Sequence, residues 1–258
     1  MKNKLFLVGT FFFYLISLAW GLTAEEIINK VDNNLTFRSA RFESKMVIHV
    51  AEEVRTKELI SYALGRERSF AEFLSPPRDR GVKFLKIEDN MWMYLPSVDK
   101  VIKIAGHMLR QSMMGSDFSY EDVLESSKLL EKYEGKLISE EVVSVPFHRE
   151  RKLFYEPRAC YVIDLMAKVK EITYYQRRIW VDQQYFIPVK EELFALSGKK
   201  LKVMTLGDIK KFGTRIYPTY YTMSNLLRKN SLTEMFITKA QFDLVLDPSL
   251  FTQARLAK

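Results

Sequence analysis

The sequence predicts a mainly β chain with a few helices, its strands running as one long antiparallel meander. Three observations carry this prediction. Between Phe37 and Gln241, strand-like runs follow one another across short polar turns. Strands joined by so few residues are antiparallel neighbours, because a parallel crossover needs a dozen or more. Several runs, Met91-Trp92-Met93-Tyr94-Leu95 and Ile179-Trp180-Val181 among them, are apolar on both faces. An open sheet with one solvated face does not need that; a strongly bent sheet with helices filling its concave side does.

Taken in order, Thr23-Ala-Glu-Glu26 reads as a capping box, and Ile27, Ile28, Val31 and Leu35 share one face of a helix over Ala24–Leu35. Strands are expected at Arg41–Val50, Lys57–Leu64, Ser69–Leu74, Val82–Ile87 and Met91–Leu95, with Asp89-Asn90 turning between the last two. Ser119-Tyr-Glu-Asp122 opens a second helix, predicted over Tyr120–Leu130. Strands resume at Lys136–Val143, Ala159–Leu165, Glu171–Val181, Tyr185–Leu196, Lys199–Phe212, Ile216–Leu227 and Ser231–Gln241. No Gly/Ser/Pro-rich linker and no repeat interrupts this series, so residues 22–258 read as a single domain.

The first 21 residues read differently. Lys2 and Lys4 precede an apolar run, Leu5–Trp20, and Ala19-Trp20-Gly21 offers small residues where a signal peptidase inspects them. The alternative, an uncleaved membrane anchor, needs about 20 apolar residues and finds fewer. Cleavage is expected after about Gly21, with no cysteine nearby to carry a lipid anchor, and the mature chain is expected in the periplasm. Removing the two lysines lowers the formal charge from +8 to +6. Export takes the basic chain away from nucleic acid and leaves anionic lipid surfaces or an acidic protein as partners for that charge.

The search for chemistry finds no nucleophile elbow, phosphate loop, dinucleotide fingerprint or His-Glu-x-x-His. His49, His107 and His148 stand in unrelated segments without metal-ligand spacing, and the lone Cys160 excludes both an internal disulfide and a cysteine-based zinc site. Cys160 opens an apolar strand, where a buried inert thiol is the usual case. Adjacent carboxylates, Glu52-Glu53, Glu140-Glu141 and Glu191-Glu192, point to opposite faces if they lie on strands. Arg78-Asp79-Arg80-Gly81 reads as a solvated turn or a partner contact. No catalytic residue, metal or cofactor is expected. Met108, Met113 and Met114 gather in a loop-like stretch ending at Phe118, either as gap fillers or as an adaptable surface for an acyl chain.

The run Phe73-Leu-Ser-Pro-Pro-Arg-Asp-Arg-Gly-Val-Lys-Phe-Leu85, then Met91-Trp-Met-Tyr-Leu-Pro96, Val101-Ile-Lys-Ile104 and Met114-Gly-Ser-Asp-Phe-Ser-Tyr-Glu-Asp122, resembles the LolA-like outer-membrane lipoprotein-sorting proteins. Ile179-Trp-Val-Asp182, Pro188-Val-Lys190 and Asp247-Pro-Ser-Leu-Phe-Thr252 extend the resemblance over nearly all of the mature chain. It implies an unclosed, half antiparallel β-barrel wrapped around lid helices. It further implies a monomeric carrier that shields the acyl chains of lipoproteins or lipids and passes them from an inner-membrane transporter to an outer-membrane acceptor, touching membrane surfaces transiently. A cavity arginine of the founding carrier has four candidate positions here: Arg38, Arg41, Arg66 and Arg68.

On this reading Trp92, Tyr94, Met113, Met114 and Phe118 are the expected acyl-chain contacts. Arg78, Arg80 and Lys83 are the expected contacts to a headgroup or a partner. The alternative is an accessory subunit of a large inner-membrane lipid exporter that docks through its basic surface and carries nothing.

Overall fold

Thr23 starts the first helix, α1 (Ala24–Leu35): its hydroxyl accepts from the Glu26 amide at 3.2 Å, and the Glu26 carboxylate accepts from the Thr23 amide at 2.8 Å. This reciprocal capping satisfies donors that a helix start otherwise leaves unpaired. The computed structural model describes residues 21–125 and 129–257, so the expected signal over Met1–Trp20 lies outside the described residues.

Six strands follow α1: β1 (Ser39–Val50), β2 (Glu53–Leu64), β3 (Arg68–Ser75), β4 (Lys83–Ile87), β5 (Asn90–Leu95) and β6 (Lys100–Ile104). Two short helices, α2 (Tyr120–Leu124) and α3 (Leu129–Lys132), precede seven more: β7 (Tyr133–Arg149), β8 (Lys152–Ala167), β9 (Gln176–Asp182), β10 (Pro188–Phe194), β11 (Lys200–Phe212), β12 (Arg215–Asn225) and β13 (Ser231–Phe242). A last helix, α4 (Gln253–Leu256), follows. The thirteen described strands form one antiparallel sheet in the order β6-β5-β4-β3-β2-β1-β13-β12-β11-β10-β9-β8-β7. Two meanders are therefore joined by the β1–β13 pairing, and β6 and β7 end the sheet without pairing to each other, which leaves the barrel open.

This order has a topological consequence. The chain must travel from one sheet edge, β6, to the other, β7, and the described residues between Ala105 and Lys132 pack along the concave side. There they meet α1. Ile27, Ile28 and Val31 of α1 pack on Tyr133, Ile163, Leu165, Ile179 and Val181 of the β7–β9 half. Met113 and Tyr120 pack on Met46, Phe73, Phe84, Met91 and Met93 of the β1–β6 half. Two inner plugs thus cover the concave face of both halves of one curved sheet.

The convex face is covered locally as well. Leu250, Phe251 and Leu256 of the C-terminal segment lie over Phe70, Leu85, Trp92 and Tyr94. The tip of the β7–β8 hairpin folds back on β11, where the His148 amide and ring Nδ1 meet the two Asp208 carboxylate oxygens at 2.5 and 2.8 Å. Gly207 makes this approach feasible, since a Cβ there would stand 1.9 Å from the Pro146 carbonyl oxygen.

The second helix departs from expectation. Helix α2 is capped at Glu125, whose ψ of 107° leaves the helical region, and the next described helix, α3, begins at Leu129. Strand β6 was not foreseen, because a five-residue edge strand with three exposed positions carries little apolar periodicity. Strand β9 begins at Gln176, later than the predicted Glu171.

Candidate functional site

A cavity of about 600 Å³ opens between the concave sheet face and the two inner plugs. Its apolar wall includes Phe42 of β1, Leu59 of β2, Leu206 of β11 and Ile237 of β13, with Met113 and Phe118 entering from the crossing segment. Strand alternation selects these side chains: Phe42, Ser44, Met46 and Ile48 all point inward, while Arg41, Glu43, Lys45 and Val47 between them do not.

The crossing segment is held in place by a dense local network. Met114 and Gly115 both adopt positive φ, 53° and 81°, which makes a tight loop closed by Met113 N–H donating to Phe118 O at 2.8 Å. Asp117, directly before Phe118, is tied to β13: its amide donates to Thr233 Oγ1 at 2.9 Å, and Thr233 donates back to Asp117 Oδ2 at 2.7 Å. Ser231 also donates to its other oxygen. Arg228 donates to the Ser116 carbonyl at 3.0 Å. One turn later, Ser119 and Asp122 form the capping box of α2. Asp122 accepts from Tyr174 Oη at 2.6 Å and from Lys202 Nζ. Burial, with Asp122 close by, raises the Tyr174 pKa, so the phenol stays protonated and donating.

A second part of the wall is charged. Arg66 donates to the Asp32 carboxylate at 3.0 Å and to the Asp32 carbonyl at 2.7 Å, clamping the C-terminal end of α1. Arg177 Nε donates to Glu191 Oε1 at 2.5 Å, and its Nη1 lies 3.7 Å from Glu125 Oε2. Burial opposes the charge on Arg177, but Glu191 outweighs it and raises the guanidinium's pKa. Lys86 of β4 completes this wall. Burial pushes its ammonium down to about 8, against the weaker pull of Glu125 and Asp89.

The expected site residues divide between the two faces. Met113 and Phe118 line the cavity, and Met114 packs beside them in the same apolar cluster. Trp92 and Tyr94 do not join them, and the expectation that they share this wall is corrected. Period-two alternation along β5 turns Met91 and Met93 inward and sends Trp92 and Tyr94 to the convex face, beneath the C-terminal segment. Lys83 is drawn to that same outer cluster, donating to the Leu256 carbonyl at 3.3 Å with its Nζ 5.3 Å from the Tyr94 ring centroid. Arg78 and Arg80 stand exposed on the turn after β3, away from the cavity wall. Of the four candidate arginines, Arg66 and Arg68 line the cavity, whereas Arg38 and Arg41 contact Asp243 and Glu43 outside it.

Lys86 and Arg177 were missed by the sequence reading. The available signal was a charged residue at an inward position of an otherwise apolar strand, Phe84-Leu85-Lys86 and Arg177-Arg178-Ile179. The adjacent pair Glu191-Glu192 behaves as alternation requires: Glu191 meets Arg177 at the cavity, and Glu192 meets Lys190 and Lys200 elsewhere. Cys160 is fully buried, and burial pushes its thiol up to about 12, far from a reactive thiolate. Among the described residues, no helix is long and apolar enough to cross a membrane.

Residues 65–258 match the model of a family described as "Uncharacterized protein". The chain belongs to that family. Known structures share its fold. One is a domain described as an outer membrane lipoprotein-sorting protein from Vibrio parahaemolyticus, with a TM-score of 0.77 and 21% identity over 92% of this chain and 98% of that one. A DUF1329 family protein from Desulfovibrio piger gives a TM-score of 0.79 and 21% identity over 90% and 97%. A LolA superfamily protein from Nitrosomonas europaea gives 0.72 and 20% over 91% and 100%. A search of curated proteins found no match. The LolA-like fold expected from the sequence motifs is thus the fold observed.

Proposed function

We propose that this protein is a periplasmic carrier that shields the acyl chains of lipoproteins or lipids in the cavity and shuttles them from the inner to the outer membrane. The observation that carries this reading is the cavity itself. Its volume of about 600 Å³ falls in the range of ligand sites, and its apolar wall is built jointly by the sheet and by a separately tethered inner segment. Ten buried methylenes would contribute roughly 8 kcal/mol before the costs of ordering, with no polar contact required. Shape-based binding of this kind needs no catalytic group. The lipoprotein-sorting name of a structural relative supports the cargo class.

Met113 and Phe118 are the contacts we assign to the acyl chain, with Met114 supporting them. Arg78 and Arg80, both exposed, are the contacts we assign to an inner-membrane transporter or an anionic surface. A fluorescent fatty-acyl probe tests the assignment. Phe118→Asp on the inner segment and Ile237→Asp on the sheet are each expected to weaken probe binding at least tenfold, with cooperative melting retained. Unchanged binding in both folded variants would refute the cavity as the binding site.

A further inference from the structure

The charged wall of the cavity does not balance. Arg66 is matched by Asp32, and Arg177 by Glu191. Glu125 already faces Lys132 at 2.8 Å and Arg177 at 3.7 Å. Each of these carboxylates is therefore engaged by a cation, which leaves the buried Lys86 and the exposed Arg68 unmatched on this wall. Among the described residues, no group hydrogen-bonds or ion-pairs with the Lys86 ammonium, although the residue is only 5% exposed. A lysine so buried is rarely left without a counter-charge, because desolvating an ammonium is costly.

The backbone fixes where this lysine points. Strand β4 pairs Lys86 with Ser69 of β3 and Met91 of β5, and it shares its face with Phe84, a member of the inward apolar cluster. It lines the same cavity as Phe42, Leu59, Met113 and Phe118. We propose that Lys86 binds the anionic oxygen of an acidic lipid, a carboxylate or a phosphate, whose acyl chain lies along those four apolar residues. Arg177 offers a second donor on the same wall, because its buried Nη1 has no hydrogen-bond partner. Arg68, exposed at the cavity edge, adds positive charge on the approach. The depressed pKa of the unliganded Lys86 agrees with this: an arriving anion would restore the charge that burial disfavours.

This inference rests on the carrier reading, and the test separates the two. The delipidated protein is titrated with oleate, phosphatidylglycerol and neutral mono-oleoylglycerol. An acidic probe is expected to bind at least tenfold more tightly than the neutral one. Preference for oleate alone assigns a carboxylate, and preference for phosphatidylglycerol alone assigns a phosphate. Lys86→Met is expected to erase the preference while retaining the neutral probe, and Lys86→Arg to keep it. Equal binding of all three probes by the unaltered protein would overturn the proposal whether or not Lys86→Met folds, and so would a preference that survives in Lys86→Met. Failure of every probe, the neutral one included, would remove the carrier reading and this inference with it.

Discussion

Lys86 carries a buried charge that Glu125 and Asp89 offset only in part. Its pKa falls from an ordinary 10.5 to about 8 on folding. The unfolded chain therefore binds more protons between pH 8 and 10.5, and stability from this residue rises with pH across that window. The penalty is fully present below about pH 8 and disappears as pH approaches 10.5. Chemical denaturation of the wild type and Lys86→Met, compared from pH 7 to 10.5, is expected to show the methionine variant's advantage shrinking as pH rises. An advantage that stays constant over that range would contradict a cavity-facing buried ammonium. The same residue-scale logic separates Trp92 and Tyr94 from Met91 and Met93. One step along a strand exchanges the cavity for the convex face.

At the scale of elements, the crossing segment matters most. It is held by polar bonds more than by helix length, since α2 spans only Tyr120–Leu124. Asp122 is the hub, capping α2 through the Ser119 amide at 2.7 Å and receiving Lys202 and Tyr174 from the sheet side. Removing one member of such a buried pair leaves the other uncompensated, at a cost of about 3–5 kcal/mol. In Lys202→Met, amide exchange over residues 113–124 is expected to accelerate while α1 and the β7–β9 strands keep their protection. Equal loss of protection throughout would show that the segment does not open as a unit.

Much of this level was legible in the sequence. Thr23…Glu26 and Ser119…Asp122 marked the starts of α1 and α2, because capping chemistry is local. Short turns after β9 marked the antiparallel order for the same reason. The end of α2 at Glu125, the identity of the inward face on β5 and the Lys86–Arg177–Glu125 wall were not legible. They depend on which residues meet across the cavity, and local sequence does not encode that meeting.

For the whole molecule, an open thirteen-strand sheet with two inner plugs encloses the cavity of about 600 Å³ on which the proposed function rests. The crossing from β6 to β7 lays Met113 and Phe118 along the concave side, where under the proposed function they face the acyl chain. Its basic balance, +8 over the full sequence, suits the encounters with acidic membranes or partners that the proposed function requires. The most direct test of the carrier account is native mass spectrometry of the protein purified from its exported form, paired with analysis of the lipid extracted from it. The account predicts a stoichiometric adduct that extracts as a lipid or an acylated peptide. A clean unliganded mass, with no uptake from offered lipid or lipoprotein, would contradict it.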